Sequence, residues 1–382
     1  MVEFSRQPYL NAVKRVVVKI GSNLIASRDQ GLNHSRLESL ARELGELRNQ
    51  KYDIIVVTSG AILAGLEKLG IHPRPKSMPI KQAAAAVGQS RLMWAYEKAF
   101  EGQGLHVAQV LVTQDDLSDR RRFLNSRNTV TTLLRMGVIP IINENDSVVV
   151  DEIRFGDNDT LAGMVAHLVD AQLLIVLSDV EGLYTDDPRR NPEARLISDV
   201  SKVDSNILKI AGESSSGEGT GGMRSKVKAA IKAGEYGVPT VIAGGRRTGV
   251  ITEVLKGNAI GTIILPGSGK RQSRKQWIAQ ASRARGRIML DEGAVEAICE
   301  KGRSLLPSGV KNVEGEFKAG DTVSCTDSHG REIARGLVNY PSPEVLKIKG
   351  LRSSEIKKTL GYKDYDEVIH RDNLVVFKKE KA

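Results

Sequence analysis

Short, unbroken runs of Val, Ile and Leu recur along the first 265 residues, and most are followed by a segment long enough for a helix. Val16–Ile20 precedes a helical pattern over His34–Gln50, and Ile54–Thr58 precedes Ala61–Leu69. Val107–Val112 precedes a segment beginning near Asp119, and Val138–Ile142 leads to a helix over Thr160–Val169. Leu173–Leu177 follows, and Val238–Ala243 comes after the helical Met223–Tyr236. Continuous apolar strands, rather than alternating ones, are needed when helices cover both faces of a sheet. Strands alternating with helices then predict an α/β fold. The expected architecture is a three-layer αβα sandwich around a mostly parallel sheet.

The pattern breaks after residue 265. Residues 266–283 read as a linker, with Gly267–Lys275 rich in Gly, Ser, Lys and Arg. From 284 to 367 strands are short and glycines frequent, which predicts a small β-rich domain with one or two small helices. Residues 368–382 read as a C-terminal tail. The expected division is therefore 1–265, 266–283, 284–367 and 368–382.

The 382 residues carry a formal charge of +10. From Lys270 onward there are 23 Lys and Arg against 16 Asp and Glu, so most of the surplus lies in the last third. Such a surplus either attracts a polyanion or makes a basic solvated surface. Aromatic residues are only 4% of the chain, which leaves few platforms for stacking bases. The two cysteines, Cys299 and Cys325, lack metal-ligand spacing and read as reduced structural residues. No apolar run has the length of a signal peptide or a membrane span, so a cytoplasmic location is expected.

Three glycine-bearing segments carry the chemistry: Lys19–Ser22, Thr58–Ala61 and Gly217–Lys226. Glycine lets a phosphate approach backbone N–H groups, and a following helix N-terminus favours negative charge. Two formal motif matches fail on context. Gly217-x-Gly219-x-x-Gly222 follows a polar Ser-rich stretch rather than a first strand, which argues against a dinucleotide site. Gly267-Ser-Gly269-Lys270 approaches a P-loop, but Ile264 and Arg271 occupy positions that need Gly and Ser or Thr.

The polar centre is more informative. Asn143-Glu144-Asn145-Asp146 comes directly after an apolar run, and Gly156-Asp157-Asn158-Asp159 opens a helix. One reading is a solvated loop with helix caps. The other is a site for a polar substrate and Mg²⁺, which needs few protein carboxylates when phosphates supply its other ligands. Lys19 and Lys226 could place positive charge on a moving phosphoryl group. The six histidines have no ligand spacing, and there is no nucleophile elbow. A carboxylate acceptor suits this inventory, because it is already ionised at pH 7 and needs no general base.

Taken in order, several segments resemble the amino acid kinase family: Val17–Ser22, Val57–Ile62, Ala86–Leu92, Asn143–Asp146, Gly156–Asp159, Ser178–Thr185, Asp187-Pro188 and Gly219–Met223. The C-terminal stretch resembles a PUA domain, through Gly286–Ile288, Asp291–Ala294, Leu305–Val310, Gly320-Asp321 and Ala334–Leu337. The likeness is to the branch of the family that acts on glutamate. It implies transfer of the ATP γ-phosphoryl group to the γ-carboxylate of L-glutamate, the first step of proline biosynthesis. N-acetylglutamate or aspartate as acceptor, or RNA binding through the PUA-like domain, are the alternative functions. The resemblance also implies proline as a feedback inhibitor, RNA as a partner of the PUA-like domain, and a homodimer or homotetramer.

Residue by residue, the resemblance makes Lys19, Lys226 and Asp159 catalytic, with Asp159 orienting the two lysines. Ser59, Asn143, Asp146 and Asn158 would bind glutamate. Lys19, Gly21, Ser178, Asp179, Thr220, Gly221, Gly222, Met223, Arg224, Ser225 and Lys226 would surround ATP. No protein metal ligand is assigned, the Mg²⁺ being expected mainly on ATP phosphates. Two positions depart from the family pattern: Ser178 stands where Thr is frequent, and Arg224 where a small polar residue is.

Overall fold

Strand β1 (Arg15–Ile20) is buried from Val16 onward, and it lies at the centre of an eight-stranded sheet. The other strands are β2 (Asp53–Val57), β3 (Val107–Val112), β4 (Ile139–Glu144), β5 (Leu173–Ser178), β6 (Asp199–Val200), β7 (Thr240–Gly244) and β8 (Thr262–Ile264). Their order is β3-β4-β2-β1-β5-β7-β8-β6. Every pairing is parallel except β7 with β8. The computed structural model describes residues 5–27, 31–72, 75–148, 158–213, 222–267, 284–363 and 365–377. The chain divides into two compact units, Met1–Lys270 and Arg271–Ala382.

The period of two along each strand sorts side chains between the two layers. Val16, Val18 and Ile20 pack with helices α1 (His34–Asn49) and α3 (Met78–Glu101). Val17, Ile55, Val57, Leu174 and Val176 face the opposite core, with α4 (Arg120–Arg135), α5 (Asn158–Leu168) and α6 (Met223–Gly234). Lys19 shares the parity of Val17, so it projects toward the layer that holds α5 and α6. Tyr96 and Phe100 of α3 are almost fully buried, each worth about 1.5–3 kcal/mol on transfer from water.

Helix α3 is the longest element, and the apolar periodicity of the sequence does not announce it. Its Ala-rich first half blurs the apolar stripe from which a helix is read. It crosses α2 (Ala61–Leu69) at very close range. A Cβ added at Gly88 would sit 1.8 Å from the Ala61 carbonyl oxygen, and one at Gly65 would sit 1.7 Å from that of Ala84. Only glycine at both positions permits this crossing, which fixes Gln89 beside the ends of β2 and β4.

Strand β4 runs further than its apolar run predicts. Asn143 and Glu144 are buried strand residues paired with Leu111 and Val112, not the start of a polar loop. Sheet hydrogen bonding satisfies their backbone, so the strand continues although the side chains become polar. The short strands β6 and β8 carry too few residues to show a period.

The C-terminal unit has its own apolar core, with Ile288, Leu290, Val323, Cys325, Tyr340 and Val368 among its buried residues. Its strands are β9 (Gly286–Leu290), β10 (Val310–Glu314), β11 (Thr322–Thr326), β12 (Glu332–Leu337) and β13 (Leu374–Val376), in the order β10-β9-β11-β12-β13. Among the described residues three short helices accompany them, Glu292–Cys299, Ser342–Ile348 and Ile356–Leu360, one more than the glycine-rich pattern suggests. The sheet also extends past residue 367. Within the segment read as a tail, Leu374 is buried and pairs with Gly336. Both cysteines are free, and burial pushes the Cys325 thiol up to about 12. Among the described residues, no helix is long and apolar enough to cross a membrane.

Candidate active site

In open α/β sheets the C-terminal strand ends line a crevice, deepest where the chain's winding reverses. Here Lys19 is the penultimate residue of β1, β4 carries Asn143 near its end, β5 ends in Ser178, and Ser59 lies just past β2. Helix α5 starts at Asn158 and brings Asp159 in its first turn, where an anionic side chain is favoured. Gly163, one turn further on, allows close packing against α6. A Cβ there would lie 2.8 Å from the Ala229 carbonyl oxygen.

These elements converge on Asp159, which is 0% exposed. Lys19 Nζ lies 2.5 Å from its Oδ1, and Lys226 Nζ lies 3.2 Å from its Oδ2. Ser225 Oγ donates to Oδ2 at 2.6 Å and also approaches the Gly222 carbonyl at 2.8 Å. The lysines are 5% and 6% exposed. Burial alone would push the Asp159 carboxyl up. The charges of Lys19 and then Lys226 override it, helped by hydrogen bonds from Lys19 and Ser225, and hold it below its ordinary value. Among the described residues, two ammonium groups share one carboxylate in a water-poor place. That is a setting for an anionic group to complete.

Next to the charged cluster is a chain of neutral amides. Asn158 Nδ2 approaches the Thr58 carbonyl at 2.7 Å, Ser59 Oγ at 3.0 Å and Asn143 Oδ1 at 2.9 Å. Asn143 Oδ1 also accepts from the Glu144 backbone N–H at 2.9 Å, while Asn143 Nδ2 donates to Gln89 Oε1 at 2.8 Å. Thr58 is held from behind by the buried Tyr96 hydroxyl, 2.8 Å from its Oγ1, and burial raises the Tyr96 pKa.

The fold thus brings Lys19, Asp159, Ser225 and Lys226 into one cluster, and Ser59, Asn143 and Asn158 into another. Gly21 is close to the first, since a Cβ on it would lie 3.9 Å from Lys19 Nζ. Ser178 is buried; its hydroxyl lies 3.3 Å from Asp179 Oδ1 and its carbonyl accepts from Gly245 N–H at 2.7 Å. Gly222 is the N-cap of α6, Met223 packs against the core, and Arg224 is exposed. Asp146 is half-buried on the turn after β4. Thr220 and Gly221 lie outside the described residues, as do Gly156 and Asp157. The sequence by itself gives neither Gln89 nor Tyr96 a role. Gln89 does lie in a family-like segment, which is the one signal that could have drawn attention to it. Among the described residues no group of three His, Cys, Asp or Glu could hold a metal ion. Asp159 in particular is committed to two lysines and a serine.

Residues 14–244 match the model of the amino acid kinase family, and residues 286–360 match the PUA domain. The chain is 52% identical over 371 residues to the glutamate 5-kinase of Geobacter sulfurreducens, covering 97% of this chain and all of that one. It is 50% identical over 373 residues to the glutamate 5-kinase of Syntrophotalea carbinolica, covering 98% and 100%. A solved UMP kinase from Bacillus anthracis is 16% identical with a TM-score of 0.47, covering 66% of this chain and 96% of that one.

Proposed function

We propose, from the premise that the chain belongs to the amino acid kinase family, that it transfers the γ-phosphoryl group of ATP to the side-chain carboxylate of L-glutamate. The product is L-glutamyl 5-phosphate, an intermediate of proline biosynthesis. The observation that carries the site assignment is the Lys19–Asp159–Lys226 cluster beside the Asn143–Asn158–Ser59 amides.

The reaction forms one bond and breaks one. A γ-carboxylate oxygen of glutamate attacks the γ-phosphorus, and the bond to the β-phosphate oxygen breaks as ADP leaves. No proton need move, because the acceptor is ionised. Catalysis therefore consists of alignment and charge stabilisation. Lys19 and Lys226 stabilise the negative charge on the transferring group and on the leaving phosphate. Asp159 fixes both ammonium groups in place before substrate arrives, so little reorganisation is needed at the moment of transfer. Ser59, Asn143, Asp146 and Asn158 hold glutamate. Gly21, Ser178, Asp179 and the segment from Thr220 to Lys226 surround the nucleotide. Mg²⁺, held mainly by ATP phosphates, would neutralise further phosphate charge.

Three further expectations rest on the same resemblance: inhibition by proline, self-association, and RNA as a ligand of the PUA-like unit. A cytoplasmic location belongs with them. The test of the reaction is ADP release with ATP, Mg²⁺ and L-glutamate, with hydroxylamine present to trap an acyl phosphate. N-acetylglutamate and aspartate serve as rival acceptors. Hydroxamate from L-glutamate far above both rivals is the expected result. Equal or greater product from either rival would overturn the substrate assignment.

A further inference from the structure

The amide chain can be oriented without ambiguity, and its orientation exposes a donor that nothing yet uses. A backbone carbonyl only accepts, so the group that Asn158 turns toward the Thr58 carbonyl is its NH₂. That NH₂ also faces Asn143, which must therefore present its oxygen. The Glu144 N–H independently demands the same of Asn143. Asn143 thus turns its own NH₂ to Gln89, which must answer with Oε1. Each step follows from the last, and two atoms are left over. Gln89 Nε2 and Asn158 Oδ1 are buried without a hydrogen-bond partner among the described residues.

A buried amide donor and a buried amide acceptor left unpaired cost free energy unless something fills them. They sit on the first and last amides of the Gln89–Asn143–Asn158 chain. An α-amino acid carries the matching pair: a carboxylate that only accepts and an ammonium that only donates. We propose that Gln89 is a specificity residue, its Nε2 donating to the α-carboxylate of the acceptor, while Asn158 Oδ1 accepts from the α-ammonium. This rests on the reading of the chain as a glutamate kinase and adds the group that recognises the amino-acid head. The close α2–α3 crossing at Gly65 and Gly88 holds Gln89 in place, so its donor is set before substrate binds. The neutral amides also avoid placing a fixed charge beside the lysine cluster.

The experiment compares L-glutamate with its α-carboxamide analogue in wild type, Gln89→Glu and Gln89→Met, by hydroxamate formation. Gln89→Glu keeps an acceptor for Asn143 but presents a carboxylate where the donor was. Gln89→Met keeps the length and lacks both functions. In wild type, kcat/KM should favour glutamate over the α-amide by about 10–100-fold, the range for a hydrogen bond to a charged group. Gln89→Glu should raise KM for glutamate by at least that factor, leave KM for ATP within about twofold, and erase or invert the preference. Gln89→Met should lose affinity for glutamate and most of the preference. A preference unchanged in both variants would overturn the proposal and reduce Gln89 to a support for Asn143. Wild-type enzyme that makes no hydroxamate from glutamate would overturn the kinase reading and this inference with it. Normal wild-type turnover with unresponsive variants would sink the inference alone.

Discussion

Asn158 and Asp159 are neighbours in the chain, yet they serve two clusters of opposite character. About 100° apart on the first turn of α5, they point in different directions. Asp159 anchors a cluster of full charges, with two buried lysines and a serine on one carboxylate. Asn158 anchors a cluster with no formal charge, built from carboxamides, a serine and a backbone carbonyl. On the proposed function, the difference follows from what each would hold. Phosphoryl transfer moves charge between oxygens, and only full cations stabilise that strongly. Recognition of a zwitterionic acceptor is better served by donors and acceptors of fixed direction, since unmatched amides reject the wrong partner at little electrostatic cost.

The largest test of this contrast is Asp159→Asn. It removes the anion that two buried lysines share, which costs about 3–5 kcal/mol of stability. It should also lower kcat by about 10³-fold or more, read by ADP release on protein shown to be folded. The pH dependence has a definite sign. A depressed carboxyl stabilises the fold fully above its unfolded value, near ~3.9, and loses that contribution as pH falls through the lower folded value. Acid unfolding of Asp159→Asn, followed by circular dichroism, should lack this part of the wild-type decline.

Lys226→Met comes next. It should reduce kcat by about 10²–10³-fold while KM for glutamate stays within about threefold. A glutamate KM effect as large as the kcat effect would show that the two clusters are not separable. Asn158→Ala should do the reverse: a rise in glutamate KM of about 10–100-fold, exceeding its effect on kcat. Initial-rate kinetics in both substrates distinguish the two patterns.

The smallest effect is expected from Tyr96→Phe, which removes the hydroxyl behind Thr58 and keeps the ring. The loss should be about 1 kcal/mol in denaturant unfolding, with kcat/KM within about threefold. A tenfold kinetic loss would extend the amide cluster one layer further back than the geometry suggests.

Much of the catalytic unit is legible in the sequence because its strands are buried on both faces. Such strands must be apolar almost throughout, and β1, β2 and β5 stand out for that reason. The charged cluster is partly legible too. Lys19 lies near the end of an apolar strand, Lys226 follows a glycine-rich stretch, and Asp159 lies in the first turn of a helix. The neutral cluster is harder to read, because Asn143 looks like the start of a loop until β4 is seen to continue through it. In the C-terminal unit the strands are short and glycine-rich, and β13 becomes visible only as the partner of β12.

What the sequence determined by itself is the layered α/β plan, a second small β-rich unit, and the residue types available for phosphoryl transfer. These follow from periodicity and chemical type, which are local properties. What only the tertiary structure decided is which of those groups meet. Strand parity turns Lys19 toward α5, Gly163 lets α6 bring Lys226 to the same carboxylate, and Gly65 with Gly88 sets Gln89 beside Asn143. Each is a contact between residues at least 50 positions apart, or the backbone approach that permits one. Such contacts depend on the close packing of whole helices, which no local pattern encodes.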